Sequence, residues 1–324
     1  SSVETCKKRN LFFNSIDSQN VMFDESLYVI QGSVKNEQEE YKLYCGLKKG
    51  EKKIFKKNKK IYKKLADHIG FFPVVMITPY DINLILEGSE TRRRFFDALI
   101  AQFDKNYLFE LLQYNKLLKQ RNAFLKTNTS SVDLLEVYDE QMIEKAQSIH
   151  ESRKKFIDEF IPIFNKFYQD ISSNKEGVDL DYQSALHENT MKELFIQNRA
   201  KDKLVGHTSS GIHRDDFLFS INSNPLKKFG SQGQQKTYLI ALKLAKFEYI
   251  KLKKNVNPVL LLDDIFDKLD DHRVGYILNL IEKNNLGQTF ITDTSKEKIP
   301  QILANLNIES NLFWIENGNS SKLN

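Results

Sequence analysis

Two carboxylates in tandem, Asp263 and Asp264, close the run Val259-Leu260-Leu261-Leu262. Four continuous apolar residues fit a strand buried on both faces, as in a parallel sheet. Acids at the C-terminal end of such a strand stand where open α/β sheets bind ligands. One carboxylate there can hold Mg²⁺ through hard oxygen contacts, and its neighbour can polarise an attacking water. The same pattern also ends ordinary strands and opens turns, so it does not decide the chemistry alone. About thirty residues upstream stands Ser231-Gln232-Gly233-Gln234, at the start of a helical stretch. Serine is a good N-cap, glycine lets a ligand approach the backbone, and the first helical N–H groups with the helix dipole favour an anion. This is either a phosphate clamp or a plain helix cap.

Two further groupings are candidates. Gly211-Ile212-His213-Arg214-Asp215-Asp216 is polar and unusual. Arg214 can pair with Asp215 or reach a phosphate. His207 and His213 stand at the outer spacing of a zinc pair, but no cysteine pair lies near them, which argues against a metal. From Lys42 to Lys64 there are eleven lysines and one acid, Glu51, with Phe55 and Tyr62 interleaved. That is either a solvated hairpin whose lysines guard an edge or a patch that tracks phosphates.

The elements that must carry these residues follow from periodicity. Leu27 to about Phe55 reads as an antiparallel meander, and Phe72 to Ile77 as a short buried strand. From about Thr91 to Lys126 apolar residues recur at helical spacing, and a second helical tract runs from about Val132 to Asp170. The short polar joint between them predicts an antiparallel helical arm. After about Val178 strands return, followed by a helix to about Lys254, the Val259–Leu262 strand and a last strand at Phe290-Ile291-Thr292. Strands, a helical insertion and then alternating helix and strand predict an α/β domain interrupted by a helical lobe.

The chain has 324 residues, 40% hydrophobic and 28% charged, with a formal net charge of +5. It can bury a sizeable core and is not a disordered tail. Two cysteines, Cys6 and Cys45, exclude a disulfide scaffold and fit a reducing, cytoplasmic setting. No apolar stretch suits a membrane span.

The ordered blocks carry more than any one of them. They run Thr78-Pro79-Tyr80-Asp81, Glu87-Gly88-Ser89, Arg92-Arg93-Arg94-Phe95-Phe96-Asp97, and Tyr114 through Gln120-Arg121-Asn122. The Gly211–Asp216 block, Gly230-Ser231-Gln232-Gly233-Gln234-Gln235 and Leu260-Leu261-Leu262-Asp263-Asp264 follow. In this order and spacing, over about residues 70 to 295, the chain resembles the RecF family, SMC-like members of the ATP-binding-cassette superfamily. The resemblance implies an α/β P-loop ATPase head with an antiparallel β meander and a helical lobe or short antiparallel arm. Its parts would be 1–89 and 176–324 for the head and 90–175 for the lobe. It implies that Ser231, Gln232, Gly233 and Gln234 form the signature that contacts the γ-phosphate of ATP held by an opposite subunit. Asp263 would be the Walker B acid supporting Mg²⁺, Asp264 the carboxylate that orients water, and Asp270 the last residue of the D-loop. Asp267 stands where that loop usually has serine, and Thr292-Asp293-Thr294 occupies the switch region.

The resemblance further implies an ATP-dependent homodimer that clamps gapped duplex DNA, acts at single-strand/double-strand junctions, and helps RecR and RecO load the recombinase. Lys52, Lys53, Lys56, Lys57, Lys59 and Lys60 would then supply phosphate contacts. One motif is missing: no G-x-x-x-x-G-K-[ST] run occurs in these residues. In RecF-like proteins it precedes the region matching Phe12–Ser18, so the expectation is a chain that begins after the P-loop. The alternative function is a non-catalytic DNA- or partner-binding module. The helical arm and the Arg92-Arg93-Arg94 block argue against a transport ATPase.

Overall fold

The computed structural model describes residues 17–35, 39–62, 71–127, 132–172, 176–265, 271–283, 286–294, 298–304, 309–316 and 318–323. The chain divides into two compact units, Ser1–Met76 and Ile77–Asn324.

In the first unit β1 (Leu27–Lys35), β2 (Glu40–Lys48), β3 (Ile54–Lys57) and β4 (Lys60–Ile61) form an antiparallel meander in that order. Leu43, Cys45 and Leu47 alternate into its core, and Phe55 is buried opposite Cys45. The β3–β4 hairpin turns through Asn58 and Lys59, at φ 48° and 68°. Two-residue hairpin loops demand such left-handed residues because their twist matches the strands. Asn58 suits the conformation and secures the turn: its side-chain oxygen accepts from the Lys42 amide at 2.9 Å. The four residues of β5 (Val74–Ile77) are all buried.

The second unit continues with α1 (Asn83–Leu86), α2 (Ser89–Ile100), α3 (Lys105–Leu125), α4 (Val132–Ser172), β6 (Val178–Gln183), α5 (Met191–Val205), β7 (Asp216–Ile221) and β8 (Asn224–Pro225). Next come α6 (Leu226–Phe229), α7 (Gln232–Lys254), β9 (Val259–Asp263), α8 (Asp271–Glu282), β10 (Thr289–Thr292), α9 (Lys298–Ala304), and the hairpin of β11 (Leu312–Glu316) with β12 (Asn319–Leu323). Strands β6, β7 and β8 form an antiparallel sheet, whereas β9 and β10 run parallel. Among the described residues no helix is long and apolar enough to cross a membrane.

The helical tract expected over 91–126 is two helices. Asp104 adopts an extended conformation and caps α3 by accepting from the Tyr107 amide at 2.8 Å. The apolar period continues across residues 101–104, so the break is invisible in the pattern; a side-chain cap makes it. Helix α4 is a single 41-residue helix that holds Pro162 in its interior. Proline deletes one backbone donor there, but Phe156, Phe160, Phe164 and Tyr168 form a buried stripe at four-residue spacing that fixes both sides. That stripe anchors an aromatic core: Phe96 lies 4.2 Å from Phe217, Phe164 4.6 Å from Tyr238, and Phe219 5.0 Å from Tyr238, ring to ring. It joins α2, α4, β7 and α7.

A polar network runs beside this core. Arg153 of α4 is fully buried and donates to both carboxylate oxygens of Asp97 at 3.1 Å. It also donates to the Ile212 carbonyl and to Asp215, each at 2.8 Å. Arg92 forks onto Asp216 with two 2.8 Å bonds, and Arg93 donates to the Asp215 carbonyl at 2.6 Å. Arg121, equally buried, holds Asp139, Asp202 and the Thr208 hydroxyl at 2.6, 2.7 and 2.9 Å. His213 sits between these two arginine centres. Its Nε2 faces the Thr208 carbonyl at 3.1 Å and its Nδ1 the Tyr114 hydroxyl at 2.9 Å, which suits the neutral ring.

Burial pulls the His213 pKa down to about 4. The unfolded chain takes up that proton near pH 6.5 and the folded chain does not. Stability therefore falls as pH drops from 6.5 towards 4, by about 2 kcal/mol at pH 5 from this residue. Urea unfolding at pH 7.5 and 5.0 measures it, and His213→Asn is expected to lose about 2 kcal/mol less on acidification.

Candidate functional site

Ser231 caps α7 reciprocally. Its hydroxyl accepts from the Gln234 amide at 3.2 Å, and the Gln234 side-chain oxygen accepts from the Ser231 amide at 2.6 Å. Most of the helix from Thr237 to Ile250 is buried, whereas Ser231 and Gln232 are exposed. A buried shaft with an open tip directs the helix dipole and the remaining first-turn donors outward. The nitrogen of the Gln234 side-chain amide donates to Glu176 at 2.9 Å, and Tyr168 of α4 donates to the second Glu176 oxygen at 2.6 Å. Gln234 is thus committed to holding the turn, and Ser231, Gln232 and Gly233 present the open surface.

Gly233 is informative for what the fold does not require of it. A Cβ there meets nothing closer than Arg273 at 3.5 Å and the Ser231 hydroxyl at 3.8 Å, both ordinary contacts. An alanine would fit and would suit a helix better. The space left by the missing side chain lies at the open helix tip, where an anionic ligand would approach.

Val259 to Leu262 of β9 are buried, as the apolar run predicts. β10 lies parallel alongside, pairing Thr292 with Asp263. The Thr292 hydroxyl donates to Asp263 Oδ1 at 2.6 Å, and the Thr292 carbonyl accepts from the Asp264 amide at 3.1 Å. Thr292 thereby locks both acids at the sheet end. Asp264 stands in the left-handed region at φ 49°, a conformation that costs a non-glycine residue about 1–2 kcal/mol. Such a cost is met at functional positions held by their surroundings. A cleft of about 390 Å³ is lined by Thr78, Pro79, Gln232, Gln235 and Ile265 among others. It thus runs from the α7 tip to the residue after Asp264. Beside it, Asp81 caps the turn at Thr78 and takes a buried 2.6 Å ion pair from Lys243 of α7. Among the described residues no cluster of three or more His, Cys, Asp or Glu could hold a metal ion. Asp263 nevertheless fits Mg²⁺, which takes one or two carboxylates and completes its octahedron with phosphate oxygens and water.

Other sequence candidates are placed differently. Asp267 and Asp270 lie outside the described residues. The Gly211–Asp216 block is structural at five positions: Gly211 turns at φ 127° against Met191 and Tyr114, and Ile212, His213, Asp215 and Asp216 are all anchored as above. Arg214 does not pair with Asp215, whose carboxylate takes Arg153 and Tyr182; it is exposed. The six lysines fall into two groups. Lys57 lies 4.0 Å from the Tyr41 ring and 3.8 Å from that of Phe71, Lys56 4.7 Å from Tyr44, and Lys53 6.0 Å from Phe55. Lys52, Lys59 and Lys60 are exposed. Glu176 and Arg273, which hold the signature turn, carry no motif signal of their own, whereas Thr292, which holds the acids, stands in the switch-region tripeptide.

This combination defines a fold class: an SMC-like head, mixed helix and sheet, with an antiparallel meander and a helical lobe. A solved SMC head bound to the C-winged helix domain of ScpA shares the fold at TM-score 0.51 and 12% identity. The chain belongs to the RecF family. It is 48% identical over 296 residues to the DNA replication and repair protein RecF of Flavobacterium johnsoniae, covering 90% of this chain and 82% of the relative. RecF of Phocaeicola vulgatus is 46% identical over 308 residues, covering 94% and 83%. The solved structure of the recombination mediator protein RecF with ATP matches at TM-score 0.87 and 33% identity, covering 99% of this chain and 88% of that one. No protein-family model matches.

Glycine adopts the left-handed backbone of residue 264 without strain. Asp264→Gly is therefore expected to raise stability by about 1 kcal/mol, read in urea unfolding, while removing the carboxylate.

Proposed function

We propose that the chain is a DNA-repair ATPase subunit that pairs with a second copy around bound ATP, and that it acts in the cytoplasm. The open tip at Gly233 is the observation that carries this reading. It would be an anion site, at a turn where the fold leaves room for a Cβ that the sequence does not supply. The support from relatives is that a 33%-identical structure is described as RecF with ATP in the RecFOR pathway.

The geometry supports a division of labour. Ser231 and the first-turn amides of α7 would bind the γ-phosphate of nucleotide held by the partner. Gln234 holds the turn through its two bonds and does not itself reach out. Asp263, with one oxygen satisfied by Thr292, has its second oxygen for Mg²⁺. Bound Mg²⁺ would neutralise charge on the phosphate oxygens. Asp264, held at the end of the strand, would accept a hydrogen bond from the attacking water and align it. The residues present thus supply the signature side and the acids of a composite site. A P-loop cradle is not among these 324 residues.

Pairing around ATP would bring two copies onto duplex DNA at gaps, with RecR and RecO as the partners of the same pathway. Ser231→Arg in the natural full-length protein tests the central step. Wild type is expected to dimerise in sedimentation equilibrium with Mg²⁺ and a non-hydrolysable ATP analogue, and the variant to stay monomeric while still binding nucleotide. A variant that dimerises like wild type overturns the reading.

The exposed lysines supply the DNA contacts. Changing Lys52, Lys59 and Lys60 to alanine is expected to weaken duplex binding and to flatten the plot of log affinity against log salt by about two to three units, near 0.9 for each phosphate no longer neutralised. An unchanged slope in fluorescence-anisotropy titrations would remove these lysines from the interface.

A further inference from the structure

We propose that Arg273 is a positioning residue that ties the signature turn to α8, and so sets the helix tip for the partner's nucleotide. The inference rests on the signature reading above and adds to it a residue that no motif marks.

Arg273 stands in the first turn of α8, nine residues after Asp264, and its guanidinium lies across α7. One nitrogen donates to the Gly233 carbonyl at 2.9 Å, and Nε donates to the Thr237 hydroxyl at 2.6 Å. Thr237 is buried and itself donates to the same Gly233 carbonyl at 3.0 Å. Two side-chain donors thus close on the carbonyl of the one signature residue that lacks a side chain. Gly233 has no Cβ to pack, so the Arg273 and Thr237 side chains add to the helix's own hydrogen bonds in orienting that peptide.

The arrangement is planar and bidentate, which an arginine meets and a lysine does not. Burial lowers the Arg273 pKa, and the nearby Tyr168 and Glu176 act against that shift. Glu176 is also the acceptor for Gln234. One side of the signature turn is therefore bound to α4 through Gln234, Glu176 and Tyr168, and the other side to α8 through Arg273. One helical turn further along α8, Tyr276 donates to Asp170 of α4 at 3.2 Å, so α8 is itself secured to the same helix.

The test compares Arg273→Ala, Arg273→Lys, Thr237→Ser and Ser231→Arg in the natural full-length protein. Hydrogen exchange without nucleotide is read first. Arg273→Ala is expected to speed amide exchange across residues 231–237 at least tenfold, with the melting temperature of the second unit little changed. In sedimentation equilibrium with Mg²⁺ and a non-hydrolysable ATP analogue, Arg273→Ala is expected to weaken the dimer tenfold or more without altering nucleotide affinity of the monomer. Thr237→Ser keeps the hydroxyl and is expected to behave as wild type; Arg273→Lys restores one bond and is expected to recover only part of the effect. Arg273→Ala that dimerises and exchanges like wild type overturns the proposal. If Ser231→Arg also dimerises normally, the signature reading itself has failed; if Ser231→Arg is blocked, only the role of Arg273 has.

Discussion

The second unit depends on one buried guanidinium. Arg153 leaves α4 and binds Asp97 of α2, the Ile212 carbonyl and Asp215 in the loop before β7. A buried charge of this kind is costly unless each donor has a partner. The penalty for any other arrangement is therefore large, and helical lobe and β6–β7 sheet take one relative position. Arg121 joins α3, α4, α5 and Thr208 in a similar way, although its second Nη has no hydrogen-bond partner and the guanidinium lies 4.5 Å from the Phe195 ring. Apolar packing alone would permit sliding along the aromatic stripe of α4; the two arginines give it a register. Helix α7 packs on that stripe through Tyr238, so the position of its tip follows from contacts made many residues away.

The two candidate motifs share a property. Each contains a residue that local preference disfavours. Gly233 is in the first turn of a long helix where alanine would fit, and Asp264 has a left-handed backbone. Most of the structure follows local preference, as at Ser231, Asp104 and Thr190, which cap their helices. Departures from consistency are expected where function overrides stability. Left-handed backbone also occurs at Lys59 and Ser223, in hairpin turns, whereas Asp264 stands at the end of a buried parallel strand.

What is legible in the sequence is local. The buried strand before Asp263, the cap at Ser231 and the meander with its lysines are written in residues a few positions apart, and each stands where its pattern puts it. Contacts between distant residues are not legible. The Arg92-Arg93-Arg94 and Arg214-Asp215-Asp216 blocks stand out as ordered motifs, yet that Arg92 meets Asp216 and Arg93 the Asp215 carbonyl requires the fold to bring residues 124 and 122 apart together. The charged tripeptide Arg214-Asp215-Asp216, a candidate for chemistry by residue type, is mostly a structural clasp, because burial decides which arginine takes which acid. The break before α3 escapes the pattern because apolar spacing carries no information about a cap. Thr292 escapes because nothing in a Thr-Asp-Thr tripeptide says which carboxylate its hydroxyl will meet.

Charge in the meander illustrates why a net figure misleads. The whole chain carries only +5, whereas residues 42–64 hold eleven lysines against one acid. Half of the lysines assigned to phosphate contact lean on rings. A ring contact of this kind is worth about 0.5–1 kcal/mol at an exposed site and leaves the ammonium charged, so Lys53, Lys56 and Lys57 still add to the local field. They also add side-chain packing around β3, whose Phe55 is buried. The rings thus hold three charges in fixed positions, while Lys52, Lys59 and Lys60 extend from turns and strand ends. If these lysines meet a phosphate backbone, as proposed above, recognition would be salt-dependent and indifferent to base sequence, because none of these groups is a rigid donor–acceptor pair able to read a base edge.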